Sequence, residues 1–420
     1  MPRELEEVEL KKSKLIANLT GVTALVATQA AFAEAPLSAT VLEFADPTTL
    51  FVADSAGAKV HAYTLPEAEP ATASTAYTFE GFSRVLADIL SVSETEITFN
   101  DLAVNPATQA AFVSLSAGGT AAVVMVTPDG TITPLDLASL PSTSTELGTA
   151  PDDGVTFWRD IPSASLTVTD LDYADGTLFV SGLSTGEFAS TLNQIPYPFG
   201  GAAQSTSVEI YHAVHDQMET RAPIRAMEIV DLDGVQTVVA AYTCTPLVTL
   251  PTASLTDGAH VTGNTIAELG YGNTPLEVLS FDVYDREGNA SPFVMVVNRE
   301  LQANLIPLEA VAAAANAPGL AEPVSMGMEA GVDTIQTPMS GVYQAADQDP
   351  QFLLALKRNL DTGAMDLVSI RKGVYLRLSD FISEYDFPDY VYAENQMGQG
   401  IKGFHNLLKA EEGFPELIEQ

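Results

Sequence analysis

The chain has 420 residues, 55 of them acidic and 18 basic, for a formal net charge of -37. A surface this anionic repels phosphate backbones and acidic lipid headgroups, which argues against nucleic-acid binding and against docking on an anionic membrane; its simplest use is solubility in a saline medium. Hydrophobic residues make up 46%, with 25 Pro and 29 Gly, so the chain has material for a large core and is not expected to be disordered throughout.

Near the N-terminus, Lys11, Lys12 and Lys14 precede a modestly apolar run from Leu15 to Phe32 that ends in Ala31-Phe32-Ala33. Residues 1–33 read as an export signal cleaved after Ala33, although Glu4, Glu6, Glu7 and Glu9 are unusual ahead of the lysines. No later apolar run is long enough to span a bilayer, so the expectation is a bacterial periplasmic or secreted protein with no membrane span after cleavage. Cys244 is the single cysteine, which excludes an internal disulfide and leaves stability to packing.

From Leu37 to Leu65, short apolar stretches alternate with turn residues at Asp46-Pro47 and Ser55-Ala56-Gly57, predicting at least three strands. Pro66 to Thr95 opens as a linker and then spaces Phe82, Val85, Leu86, Ile89 and Leu90 as one face of a short helix. Strands resume at Ile97, with a hairpin turn at Pro128-Asp129-Gly130. The pattern Ile97-Thr-x-x-Asp101-Leu102 returns as Leu166-Thr-x-x-Asp170-Leu171, followed by a hairpin at Asp175-Gly176.

Internal repetition follows from this. The apolar centres Phe51-Val52, Phe112-Val113, Phe179-Val180, Val238-Val239, Val294-Met295 and Phe352-Leu353 are separated by 61, 67, 59, 56 and 58 residues. All-β repeats near 60 residues read as β-propeller blades, each a four-stranded sheet that needs neighbours on both faces. Six blades are visible, with short helical insertions, and periodicity leaves a seventh open. Segments 185–206 and 309–328 read as insertions, the first too Pro-rich for a central strand and the second carrying a helical turn or two at Ala310 to Ala317. The resulting plan is a signal peptide at 1–33, a propeller at 34–375 and an extension at 376–420 with a short helix around His405 to Glu412.

The repeats resemble, at the level of fold, bacterial propellers that include the YVTN-type repeats and the small beta subunit of quinohemoprotein amine dehydrogenase. The middle segment is similar to an uncharacterised secreted family of environmental bacteria, on the residues Asp170-Leu171 to Leu183, Ile195-Pro196-Tyr197-Pro198-Phe199, Ser207 to His212, Ala240 to Val248 and Ile266 to Gly270. That resemblance spans roughly residues 40 to 370 and carries no activity with it.

Several residues stand out as site candidates. Asp101 and Asp170 occupy matching places on the innermost strands, where side chains face the axial tunnel; with Asn298 they suggest an oxygen-rich ring able to hold Ca²⁺, as in lactonase-type propellers, while inter-blade hydrogen bonding is the plainer role. His212 and His215 have metal-ligand spacing, but on a strand they point to opposite faces unless the strand ends between them. Cys244 is either a small buried hydrophobe or a functional thiolate, a nucleophile or a ligand for copper or zinc. Tyr197 and Phe199, with the only tryptophan, Trp158, suggest either an aromatic surface for a partner or aromatic residues buried under a loop. A phosphate loop, a Gly-x-Ser-x-Gly elbow and a haem-attachment motif are all absent. The leading reading is an exported binding or accessory scaffold meeting a periplasmic protein or a small molecule. The alternatives are a Ca²⁺-dependent lactonase-like hydrolase using tunnel carboxylates and a copper- or zinc-handling protein.

Overall fold

A computed structural model describes residues 35–411 except 149, 152–153, 158–159, 186–187, 244–245, 271–273, 286, 300, 338, 340, 373–386 and 388. Six antiparallel sheets of at least four strands surround one axis, forming a six-bladed β-propeller. Their innermost strands, in chain order, are Leu42–Asp46, Ile97–Val104, Asp170–Ala174, Ile224–Leu232, Pro275–Tyr284 and Val342–Asp347, and these define blades 1 to 6. Local chemistry makes the hairpins. Asp175-Gly176 and Asp233-Gly234 all have positive φ (48°, 79°, 55° and 85°), the backbone a two-residue turn between twisted strands requires.

The order of blades around the ring is not the order along the chain. Apolar clusters join blade 2 to 1, 1 to 3, 3 to 4, 4 to 5, 5 to 6 and 6 back to 2, so blade 2 sits between blades 6 and 1. Two borrowed strands make this possible. Blade 1 runs Leu42–Asp46, Thr49–Asp54 and Lys59–Thr64, then takes its fourth strand, Ser142–Glu146, from beyond blade 2. Blade 6 takes its fourth strand, Thr78–Phe79, from the segment ahead of blade 2.

Tyr77 fastens that second loan. Its backbone exchanges hydrogen bonds with Ser369 of blade 6 (2.7 and 2.9 Å), while its buried hydroxyl accepts from the Ala111 N–H (3.0 Å) and lies within donating distance of the Gln109 and Val126 carbonyls of blade 2 (2.8 and 2.9 Å). The helix Phe82–Leu90 follows at once and buries Phe82 and Leu86 in the same cluster, whereas Val85 and Ile89 of the expected apolar face are 41% exposed.

One expectation is corrected here. The Pro-rich segment 185–206 is not an interruption of blade 3, because Ser190–Pro196 is its third strand; Pro196, at the strand end, is placed where a missing N–H is tolerated. A seventh blade is not found among the described residues. The helix expected near 310–317 is Leu308–Ala315, and the C-terminal helix is Gln396–Glu411.

Candidate functional site

All six innermost strands run the same way along the axis, and their middle residues enclose a cavity of about 240 Å³. Seven carboxylates line it: Glu43 from blade 1, Asp101 from blade 2, Asp170 and Asp172 from blade 3, Glu228 from blade 4, Glu277 from blade 5 and Asp347 from blade 6. No Lys, Arg or His is among the described lining residues.

Asp101 and Asp170 do two things at once. Each accepts a hydrogen bond from the first strand of the next blade, Leu42 N–H for Asp101 (2.7 Å) and Met227 N–H for Asp170 (2.6 Å), and each also takes the N–H of its own following leucine (2.8 and 2.9 Å). They are inter-blade latches that also face the axis. Asp172 accepts from Ile229 N–H and Glu228 from the Ser280 hydroxyl, continuing the latch pattern. Glu277 takes only the N–H of its neighbour Val278 (3.1 Å), and Glu43 takes no hydrogen bond among the described residues.

The electrostatics follow from this crowding. Burial raises Asp101 and Asp172 to about 6, against hydrogen bonds that work the other way. Burial and then the neighbouring carboxylates push Glu43, Asp170, Glu228 and Glu277 well above the usual carboxylate range. At one end, burial raises Asp347 although Lys372 Nζ lies 2.6 Å away and opposes the shift. Lys372 offsets only Asp347, and Arg225 reaches Asp170 from one end, so protons or a bound cation must relieve the rest, and oxygen-only donors select a hard cation such as Ca²⁺ over a transition metal.

At the opposite end, where the inner strands begin, the cavity opens into a basin of about 470 Å³ that shares Asp101, Asp170 and Glu277 with it. Asn100, Arg225, Arg299, Tyr343 and Gln344 line this basin, with Ile161 and Ser165 of the segment leading into blade 3. Burial and then the nearby Arg299 lower the Arg225 guanidinium. The Arg299 guanidinium stands 5.9 Å from the centre of the Tyr343 ring. The axis is thus graded, with two cations in the outer basin and seven carboxylates within.

A second constellation lies on the outer edge of blade 3, away from the axis. Strand Gln204–His212 ends at His212, the chain turns through Asp216 (φ 51°), and Gln217–Glu219 returns along it. The strand therefore ends between the two histidines, which is the condition their spacing demanded, and their rings lie 3.9 Å apart. Glu219 accepts from His212 Nδ1 at 3.0 Å and His215 Nδ1 at 2.5 Å. Burial alone would raise Glu219, but His212, His215 and Gln217 outweigh it and hold the carboxyl at about 2. Glu268, fully buried in the fourth strand of blade 4, accepts the Ala213 N–H at 2.8 Å and comes within 3.9 Å of His212 Nε2.

The remaining candidates are placed as follows. Asn298 ends the second strand of blade 5 and bonds Asn304 Oδ1 (2.8 Å) and the Gln302 carbonyl (2.7 Å), so it does not join the axial ring. Tyr197 and Phe199 are half-buried against Phe51 between blades 1 and 3, with ring centres 4.9 and 5.9 Å from it, and so fill an inter-blade seam instead of offering a free aromatic face. Cys244 and Trp158 lie outside the described residues.

Sequence reasoning missed Glu43, Asp172, Glu228, Glu277, Asp347, Glu219 and Glu268. A signal existed for four of them: stepping back across each hairpin from the apolar centre places Glu43 opposite Phe51, Asp172 opposite Phe179, Glu228 opposite Val239 and Asp347 opposite Leu353.

No protein-family profile matches the chain, and no curated protein matches it. Among solved structures, it is similar to the extracellular domains 1–2 of Drosophila semaphorin 1b (9% identity over 79% of this chain and 84% of that one, TM-score 0.35). It is also similar to hydrazine synthase of Kuenenia stuttgartiensis (11% identity, 83% and 99% covered, TM-score 0.34). A protein from Lactobacillus plantarum aligns at 14% identity over 78% and 83%, with a TM-score of 0.30. Likenesses at this level carry nothing about activity.

Proposed function

We propose that this chain is a binding propeller whose axial cavity holds a hard divalent cation, Ca²⁺ first, and whose basin presents that cation to a small polar ligand. The observation that carries the reading is that every blade contributes a carboxylate to one cavity with no basic described residue in its lining. Glu43 and Glu277, the members with the fewest hydrogen bonds, have the most coordinating capacity left, while Asp101 and Asp170 keep one oxygen on a neighbouring blade. Bound there, the cation would tie all six blades together, the action of a scaffold. The export expected from residues 1–33 suits a protein that works in Ca²⁺-containing fluid outside the cytoplasm.

The basin favours a second reading, a metal-dependent hydrolase. Arg225 and Arg299 offer a seat for a carboxylate or phosphate on a substrate, and the cation, when bound, would supply Lewis-acid polarisation of an ester carbonyl.

The test is elemental analysis of native full-length protein, followed by calorimetric titration of chelator-treated protein with Ca²⁺. Bound Ca²⁺ and a melting temperature that climbs with its concentration support the reading. Native protein without bound divalent metal, and no thermal shift on adding Ca²⁺ or Mg²⁺, would overturn it. Turnover of a lactone or ester panel that needs Ca²⁺ and fails in Arg299→Ala would move the conclusion to the hydrolase.

A further inference from the structure

We infer that His212, His215 and Glu219 form a second metal site, on the rim of blade 3, that takes a divalent transition metal of the Zn²⁺ and Cu²⁺ class. One ligand atom from each lies within 4.8 Å of the others, and all three come from a single hairpin. This proposal is independent of the axial one. It uses a different part of the fold and a different donor chemistry.

The donor set chooses the metal. Two imidazoles and one carboxylate suit Zn²⁺, Cu²⁺ or Ni²⁺ and are poor ligands for Ca²⁺, which the all-oxygen axis would take instead. Three protein ligands with a fourth position toward solvent is the arrangement of an open zinc site. Here the open side is given by burial: His212 is buried, Glu219 is partly covered, and the His215 side chain is 43% exposed.

Preorganisation comes from both ends of the hairpin. The turn is closed by His215 N–H to the His212 carbonyl at 3.1 Å, which sets the two imidazoles side by side. Behind His212, the Glu268 carboxylate lies 3.9 Å from Nε2, longer than a hydrogen bond but on the side from which an outer carboxylate orients a ligating histidine. That carboxylate is itself anchored by the Ala213 N–H. Donor separations of 3.0 and 2.5 Å about Glu219 are somewhat tighter than the edge of about 3.3 Å expected for tetrahedral zinc with bonds near 2.05 Å. Those two contacts go to different oxygens of Glu219, Oε2 and Oε1, so seating one ion requires the donors to regroup around it, and the exposed His215 has the most room to move. Ligation through Nδ1 requires each neutral imidazole to carry its proton on Nε2, which for His212 is the nitrogen facing Glu268.

The ordinary alternative is a hydrogen-bonded hairpin with no ligand. The two are separated by titrating full-length protein with Zn²⁺, and with Co²⁺ as a spectroscopic probe, while excess Ca²⁺ is present to hold the axial carboxylates. The expected result is one Zn²⁺ per chain at micromolar or tighter affinity, intense visible Co²⁺ absorption, and at least a tenfold loss of Zn²⁺ affinity in His215→Ala and in Glu219→Gln. His215→Ala is the primary variant because its side chain is exposed, and its melting temperature without metal reports whether the fold survives. Binding only at millimolar Zn²⁺, or equal affinity in wild type and both variants, would overturn the site. The Ca²⁺ response should be the same in all of these proteins; its failure would count against the axial proposal and leave this one standing.

Discussion

Carboxylates at the axis and Asp54, at the end of the second strand of blade 1, meet opposite surroundings in one molecule. Glu43 and Glu277 face other acids across a cavity with no basic described residue, and burial and mutual repulsion push them well above their ordinary range. Asp54 is almost fully buried too, and burial alone would raise it. It nevertheless falls to about 2, because His61 lies 3.8 Å away and the N–H groups of Gly57, Leu37 and Ser38 all point at it. Burial is common to both regions. Whether donors converge on the group decides its charge, so the axis is the place where this protein keeps a demand for positive charge.

Four measurements would break or sharpen that contrast. The largest effect belongs to the cation. At a thousandfold excess over its dissociation constant, Ca²⁺ should stabilise the native protein by about 4 kcal/mol. In Glu43→Gln combined with Glu277→Gln that gain should fall by more than half, measured by chemical denaturation with and without Ca²⁺. A double variant that responds like wild type would detach the carboxylate ring from cation binding.

Next comes a pair of substitutions with opposite signs, made without divalent metal. Asp170→Ala removes the acceptor of the Met227 N–H and should cost about 1–3 kcal/mol. Glu43→Gln removes repulsion without losing a described hydrogen bond and should stabilise by about 1 kcal/mol. If both destabilise, Glu43 is a structural latch like its neighbours.

The pH dependence is the third measurement. A carboxyl raised on folding binds more protons in the native than in the unfolded state, so stability declines as pH climbs from about 4 through the native value. For Asp101 and Asp172 that window closes near 6. Asp54 has the reverse sign: its contribution is present above about 4 and is lost as pH falls toward 2. Metal-free protein should therefore be most stable in mild acid, and saturating Ca²⁺ should flatten the loss on the alkaline side, as read from melting temperatures between pH 3 and 8. The smallest effect should be His215→Ala without metal. One hydrogen bond at a partly exposed edge is worth about 1 kcal/mol or less, so a loss of several would make the hairpin structural first.

The hairpins and blades could be read in the sequence because their causes are local. Turn residues, Asp-Gly in blades 3 and 4, and short apolar strands specify these β-meanders without reference to the rest of the chain. Asp101 and Asp170 were legible for a related reason, since the same six-residue pattern recurs around them. Glu228, Glu277 and Asp347 carry no such pattern; only closure of the ring brings them to one cavity. The spacing of His212 and His215 was visible, but Glu219 needed the hairpin register and Glu268 comes from the neighbouring blade, 53 residues beyond His215. The borrowed strand Thr78–Phe79 was invisible because two residues have no periodicity, and its place is fixed by Tyr77 and by the third strand of blade 6.

That loan makes folding a matter of timing. Residues 78 and 79 find their pairing partners only at Leu367 and Val368, so nearly 300 residues must be synthesised before the boundary between blades 6 and 2 can close. Blade 1 likewise waits for Ser142 to complete its outer edge. Until the last blade emerges, Thr78–Phe79 stays unpaired and the blade 2 face that packs on blade 6 stays uncovered, exposed to aggregation or to a chaperone; contact order of this kind predicts slow and late closure of the ring.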